Sequence, residues 1–440
     1  MDIRRDIYLN RLIARRHNGF VKIITGIRRC GKSYLLFRLF RRYLLDAGVT
    51  TRQIIELALD NESSKRYRDP IVLAEWLRER IGGAGKGWKY VFIDEIQMSR
   101  KVLPAGVDLS RIAPEDRESA YVTFYDVLNE IVKIPQVDVY VTGSNSKMLS
   151  SDIATNFRDR GDEVRIHPLT FDEYYSAVGG DKSDAWADYL VWGGMPGLIE
   201  KKSPEQKKGY LEQLFRKVYL KDIVERHRLK GDAILSQVLD FTLSAVGSLT
   251  NPTKLASSLS SLSGVMASSH TVRCHLDFLQ DAFLINKVQR YDVKGKRYLE
   301  YPAKYYAEDV GLRNARINFR QTELGHLMEN VIYNELVARG YSVDVGMVEA
   351  VSVSGGKREK RQYEIDFVLN LPRGKVYLQS ALNIDTEEKL KQETASLRRS
   401  GDFFRKIVIV GGSQRLSTDE DGISYVGVIP FLLDVTVLGE

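Results

Sequence analysis

The chemistry-bearing residues of this chain concentrate in Gly26-Ile-Arg-Arg-Cys-Gly31-Lys32-Ser33, the spacing of a phosphate-binding glycine loop. Glycines at this separation let backbone N–H groups turn toward phosphate oxygens, and the positive end of a following helix meets the same anion. In that setting the Lys32 ammonium neutralises the β- and γ-phosphates and the Ser33 hydroxyl ligates Mg2+. Gly26, Arg29, Gly31, Lys32, Ser33 and Tyr34 form the candidate nucleotide-binding set, with Arg28 as a neighbouring cation that either touches phosphate or raises the local potential. Asp94 and Glu95 close an apolar run, Tyr90-Val-Phe-Ile93. Carboxylates in that position are costly to desolvate unless a cation meets them. Asp94 is expected to hold the Mg2+ directly or through water, and Glu95 to orient and deprotonate an attacking water. Asn145 follows a third run, Val137-Asp-Val-Tyr-Val-Thr142, and is expected to polarise that water or touch the γ-phosphate, with Ser144 as its rival. Arg158 and Arg160 are the candidates for an arginine that meets charge developing in the transition state, Arg160 being preferred. The bland alternatives are a glycine turn with a surface lysine, a plain turn residue at 145 and solvated arginines.

These residues need a scaffold. Phe20–Thr25 reads as a strand, Tyr34–Leu45 as a helix, and the two later apolar runs as further strands alternating with helical segments over Ile71–Ile81 and Thr123–Lys133. Such alternation gives a parallel α/β sheet, whose ligands sit at the carboxyl ends of the strands. Lys101–Ala120 reads as an inserted loop. From Leu169 the pattern turns helical. Three helical stretches between Ile234 and Phe283, followed by two strand-like runs around Lys294-Gly295-Lys296, describe a winged helix. Beyond Gln321 a helix, three strands, a helix and a strand form another α/β layer. The expected class is α/β: a P-loop sheet core over 1–168, a helical lid over 169–232, a winged helix over 233–318 and a terminal α/β domain over 319–440.

The chain has 440 residues, room for about three domains at roughly 150 residues each. Its 43% hydrophobic and 28% charged content is that of a globular protein. No run approaches the ~18 apolar residues of a membrane span, and the amino terminus has no secretory pattern, so a cytoplasmic protein without a membrane partner is expected. Cys30 and Cys274 make neither a disulfide framework nor a metal spacing. The net charge of +7 invites a nucleic-acid reading. Residues 1–45, however, hold 12 Lys/Arg against 2 Asp/Glu, while the remainder holds 53 against 56. The surplus surrounds the glycine loop. Arg4, Arg5, Arg11, Arg15, Arg16, Arg38, Arg41 and Arg42 stay unassigned, available to a neighbouring subunit or to DNA.

Six segments carry a family resemblance: Thr25–Ser33, Phe92-Ile-Asp-Glu-Ile-Gln97, Val141-Thr-Gly-Ser-Asn-Ser146, His167-Pro-Leu-Thr-Phe-Asp-Glu-Tyr-Tyr175, Trp192-Gly-Gly-Met-Pro196 and Tyr219-Leu-Lys-Asp-Ile-Val224. Over nearly its whole length the chain resembles the AAA-type ATPases with a carboxy-terminal DUF4143 domain. The resemblance implies adenine rather than guanine nucleotide, with Arg160 as the arginine finger and Asn145 as the sensor. The terminal domain is similar to the PD-(D/E)xK nuclease fold, where Glu329 and Asp366 match two motif positions and Gln379-Ser380-Ala381 departs from the third. Gln is a weak ligand for a hard cation and Ala neither holds nor donates a proton, so this domain is expected not to cleave DNA. The candidate recognition helix from Ser269 offers only Arg273 and two histidines, leaving DNA and a protein partner equally open. The leading expectation is Mg2+-dependent ATP hydrolysis driving conformational change in an oligomer. The alternatives are a slow nucleotide switch and a DNA-associated motor or scaffold.

Overall fold

The computed structural model describes residues 3–143, 157, 160–231, 233–263, 266–320, 323–354, 357–372 and 374–438. The chain forms two compact units, one spanning Arg5–Ile166 and the other made of the stretch from His167 onward together with the residues before Arg5.

The first unit is built on five strands, β1 (Val21–Thr25), β2 (Ile54–Ala58), β3 (Lys89–Asp94), β4 (Val137–Thr142) and β5 (Gly161–Arg165). All pairs are parallel, in the order β2-β3-β4-β1-β5. Because both faces are covered, the inner strands read as continuous apolar runs rather than alternating ones. On one face Val21, Ile23, Val91, Ile93, Val139 and Val141 pack against helices Pro70–Gly83 and Phe124–Ile131. Asp69 starts the first helix by accepting Ile71 N–H at 2.8 Å, with Pro70 in its first turn. Phe40, Phe92 and Tyr140 form an aromatic layer on the other face. The helix after β1 is α-helical over Lys32–Tyr34, π-helical over Leu35–Phe40 and α-helical again over Arg41–Asp46. The segment 101–120 carries 3-10 turns at Leu109–Arg111 and Pro114–Ala120, and Val102 pairs with Val122 across its base.

Lys22 stands in the middle of a buried strand and is fully buried. Its three donors meet Asp138, Asn18 Oδ1 at 3.1 Å and Phe20 O at 2.9 Å. Burial draws its pKa down and Asp138 pulls it back up. The pair pins β1 to β4 near their amino ends, away from the glycine loop.

The second unit opens with helices Phe171–Val178 and Lys182–Trp192. A longer helix follows, α-helical over Pro204–Gln213 and Leu220–His227 with a π-helical segment Leu214–Tyr219 between. Helices Ala233–Ser244, Pro252–Ser263 and Ser269–Asp281 come next, with β6 (Leu249–Thr250), β7 (Ile285–Asp292) and β8 (Arg297–Ala307). After helices Val310–Arg316 and Leu324–Arg339 come β9 (Ser342–Ser354), β10 (Lys357–Leu371), β11 (Gly374–Ala381), helix Glu387–Arg398, β12 (Arg405–Val410), β13 (Ser417–Thr418), β14 (Ile423–Gly427) and helix Val428–Leu433. One mixed sheet, in the order β13-β14-β12-β11-β10-β9-β7-β8-β6, contains all of these strands. The parallel pairing of β7 with β9 makes this sheet continuous across residues 318 and 319, where the sequence pattern suggests a domain boundary. The hairpin β9–β10 is long, with strands of 13 and 15 residues.

Asp309 fastens the first helices of this unit. Its carboxylate accepts Gly194 N–H at 2.6 Å and Leu312 N–H at 2.8 Å. Gly311 crosses so close to Trp192 that a Cβ there would lie 1.7 Å from its carbonyl oxygen. Asn314 adds bonds to Leu190 O at 2.9 Å and Val191 O at 3.0 Å. Burial, only partly offset by the N–H donors, pushes the Asp309 carboxyl up to about 6. The folded chain therefore holds this proton more tightly than the unfolded chain does. The stability contributed is complete below the ordinary value of 3.8 and is lost as pH rises through about 6. Urea denaturation should show a loss of about 2 kcal/mol between pH 4 and pH 6 from this group. Asp309→Asn should be less stable at pH 4, where it loses an accepted N–H, and should have a flatter profile over that interval.

Candidate nucleotide-binding site

The glycine loop leaves the carboxyl end of β1, which lies between β4 and β5. Gly26 takes φ +138°, and a Cβ there would sit 2.1 Å from Ile166 O, so only glycine lets the chain turn. Arg29 (φ +65°) and Gly31 (φ +102°) also take positive φ, and the helix begins at Lys32. The Lys32 ammonium is buried and donates to Gly26 O at 2.9 Å and Ile27 O at 3.1 Å. A lysine has three such donors, so one remains for an anion cradled by the loop. Arg29 and Ser33 are exposed at the loop surface. Tyr34 lies in the first helical turn, with the Arg38 guanidinium 5.9 Å from its ring centre.

Ser33 Oγ donates to Asp94 Oδ1 at 3.0 Å, joining the loop helix to the end of β3. Thr142, fully buried at the end of β4, gives its hydroxyl proton to the same Asp94 oxygen and accepts Glu95 N–H at 3.1 Å. Glu95 itself takes a left-handed conformation, φ +52°, and its carboxylate accepts a hydrogen bond from Gln97. One hydroxyl thus fixes both adjacent acids, and Gln97 orients the second. Thr25, the last residue of β1, donates to Glu163 Oε1 at 2.5 Å, and burial raises the Glu163 pKa. Thr142, Gln97 and Glu163 were not singled out from the sequence. Gln97 lies in the Phe92–Gln97 motif and Thr142 in the Val141–Ser146 motif, whereas Glu163 has no local signal.

Ser33 and Asp94 are hard oxygen donors suited to Mg2+, an ion that keeps waters and phosphate oxygens among its ligands. Among the described residues there is no group of three or more His, Cys, Asp or Glu able to hold a metal alone. A two-residue donor set completed by phosphate fits the chemistry of the loop.

Asn145, Ser144 and Arg158 lie outside the described residues. Arg160 is described and is not brought to the loop. Its carbonyl accepts Val21 N–H at 2.8 Å, beside the amino end of β1. The loop leaves the other end of that strand, about 13 Å away at roughly 3.3 Å per residue. The arginines around the loop mostly have partners within this unit. Arg15 bonds Asp162 at 2.9 Å and Arg41 pairs with Glu56 at 3.3 Å. Arg5 and Arg11 lie over Tyr8, and Arg16 over Tyr43. In the second unit Glu329 and Asp366 converge on a shared partner, while Gln379 Oε1 accepts from Ser396 Oγ and the Asp366 N–H, both at 3.4 Å.

Residues 18–175 match a family model described as an AAA domain, and residues 183–323 match a "Domain of unknown function (DUF8612)". The second model is not that of the DUF4143 group, although it spans the Trp192–Pro196 and Tyr219–Val224 motifs. A Haemophilus influenzae protein described as "Uncharacterized protein" is 31% identical over 436 residues, 98% of each chain. "Uncharacterized protein MJ1544" of Methanocaldococcus jannaschii is 26% identical over 367 residues, covering 79% of this chain and 72% of that one. A solved Walker-type ATPase of Pyrococcus abyssi aligns with 72% of this chain and 96% of its own at 14% identity and a TM-score of 0.48. The chain carries an AAA-type P-loop domain and belongs to the same family as the Haemophilus influenzae protein. No helix among the described residues is long and apolar enough to cross a membrane.

Lys32→Ala should abolish binding of a fluorescent ATP analogue. Thr142→Val, which removes the hydroxyl shared by Asp94 and Glu95, should lower turnover by roughly 10- to 100-fold while leaving nucleotide affinity nearly unchanged.

Proposed function

We propose that this chain is a Mg2+-dependent ATP hydrolase of the AAA type. The observation that carries the reading is the hydrogen bond from Ser33 to Asp94 beside a buried Lys32, which joins a phosphate loop to an acidic strand end. Lys32 and the loop N–H groups bind the β- and γ-phosphates. Ser33 and Asp94 hold Mg2+, which supplies charge neutralisation between those phosphates when bound. Glu95, set by Thr142 and Gln97, orients the attacking water and takes its proton. Asn145 is the proposed contact to that water, and Arg28 and Arg29 supply further positive potential at the loop.

Arg160 lies too far along β1 to serve its own loop, which supports its use on the nucleotide of an adjacent copy in an oligomer. In that reading Lys32→Ala and Arg160→Ala chains are each inactive alone, Arg160→Ala losing about 10³-fold or more in turnover. Mixing them should restore phosphate release. Failure of every mixing ratio to do so would refute the shared site while leaving nucleotide binding intact.

The three helices, β6 and the β7–β8 hairpin are read as a winged helix, and the sheet beyond it as a nuclease-like layer without cleavage activity. A DNA-associated role finds its support on the wing rather than the recognition helix. Arg273 is engaged by Glu300 at 3.8 Å and by the Tyr301 ring, and His275 is buried with Nδ1 2.7 Å from Thr271 O. Lys294, Lys296 and Arg297 stand exposed on the hairpin tip, with Arg297 also 3.5 Å from Asp292 Oδ2. Lys294 also donates to Glu349 O at 3.4 Å, on the strand that pairs with the Lys360 and Arg361 stretch of β10. If DNA binds there, replacing these three wing cations with alanine should reduce the slope of log affinity against log salt by about three. An unchanged slope would leave a protein partner as the reading of this surface.

A further inference from the structure

The densest buried charge outside the nucleotide site lies where β8, β10 and helix Leu324–Arg339 meet. Lys304 of β8 is 2% exposed. Its ammonium bonds Glu329 Oε1 and Glu364 Oε1, both at 2.7 Å, and lies 3.5 Å from Asp366 Oδ1. Tyr306, two residues further along β8, donates to Glu329 Oε1 at 2.6 Å, and Ser380 N–H donates to Asp366 Oδ2 at 2.8 Å. His326 Nδ1 lies 4.0 Å from Glu329 Oε2. Glu364 is the most exposed of the three acids, its side chain 33% accessible.

A lysine on a hairpin strand ordinarily reaches water, and burying its charge costs several kcal/mol unless partners repay it. Here burial would drive the proton off, yet the surrounding Glu329, Asp366 and Glu364 raise the Lys304 pKa. Burial raises Asp366 to about 7, with Glu329 adding to the effect. The surplus of negative charge is relieved by Lys304 and by the solvated edge at Glu364.

Carboxylates from two elements converging on one point are the oxygen set that hard divalent cations take. That point is where Nζ sits, and a metal beside it would face an adjacent positive charge. We propose that Lys304 is the resident cation of this carboxylate site, closing it to divalent metal and fastening β8 to β10 and helix Leu324–Arg339. β7 and β9 separate β8 from β10 in the sheet order, so the lock spans strands that share no backbone pairing. The ionic core of the terminal layer is then internal to the chain, independently of the nucleotide chemistry.

Mn2+ binding to the full chain, followed by electron paramagnetic resonance in an Asp94→Asn background that silences the loop metal, tests it. With Lys304 present, the cluster should hold no Mn2+. Lys304→Ala should gain about one Mn2+ per chain, and adding Asp366→Asn should remove it. Mn2+ held by the Lys304-intact chain and lost on Asp366→Asn would overturn the proposal. So would a Lys304→Ala chain, folded by circular dichroism, that binds none. Should that variant not fold, Lys304→Gln carries the same comparison, and the intact-chain measurement needs no change at residue 304.

Discussion

Asp94 Oδ1 is the hinge of this molecule's chemistry. One oxygen accepts both Ser33 Oγ and the buried Thr142 hydroxyl, so three segments that meet only through the fold are held in register: the loop helix, the end of β3 and the end of β4. The parallel order β3-β4-β1 places those carboxyl ends side by side. Any slip of register by one residue would turn Asp94 and Thr142 to opposite faces. The Lys22–Asp138 pair near the opposite end, which ties β1 to β4, opposes such a slip.

Buried ionisable groups satisfied within the chain recur throughout. Lys22, Asp309 and Lys304 are each almost fully buried, and each meets partners from distant stretches of its unit. Buried ion pairs contribute less to net stability than their short distances suggest, while removing one partner is costly. Their value in this chain is placement. Lys22 fixes the strand that launches the glycine loop, Asp309 fixes the turn after Trp192, and Lys304 fixes a hairpin to the sheet that follows it.

The loop, its helix and the acidic strand end were legible in the sequence because their chemistry is local: Gly26, Gly31, Lys32 and Ser33 are contiguous, and Asp94 directly follows an apolar run. Thr142 was visible only within a motif, since its role depends on the neighbouring end of β3. The basic surplus of residues 1–45 pointed to an anion or an outside partner. Much of it meets Asp138, Asp162, Glu56 and Tyr43 instead, long-range partners that composition cannot reveal, and Tyr8 close by in sequence. Arg160 follows the same lesson: closeness in sequence to the sensor region gave no information about which end of β1 it would adjoin. Lys304 carries no local signal, and its burial depends on a helix and a strand that come later in the chain.

The central claim is that Asp94 and Glu95 divide the work of metal holding and water activation at a phosphate loop. Its most direct test is single-turnover phosphate release by Glu95→Gln with ATP affinity measured on the same sample. The account predicts retained affinity for Mg2+-ATP with release slowed by about 10²-fold or more, the scale of a lost general base. Release at the unsubstituted rate with affinity intact would contradict it.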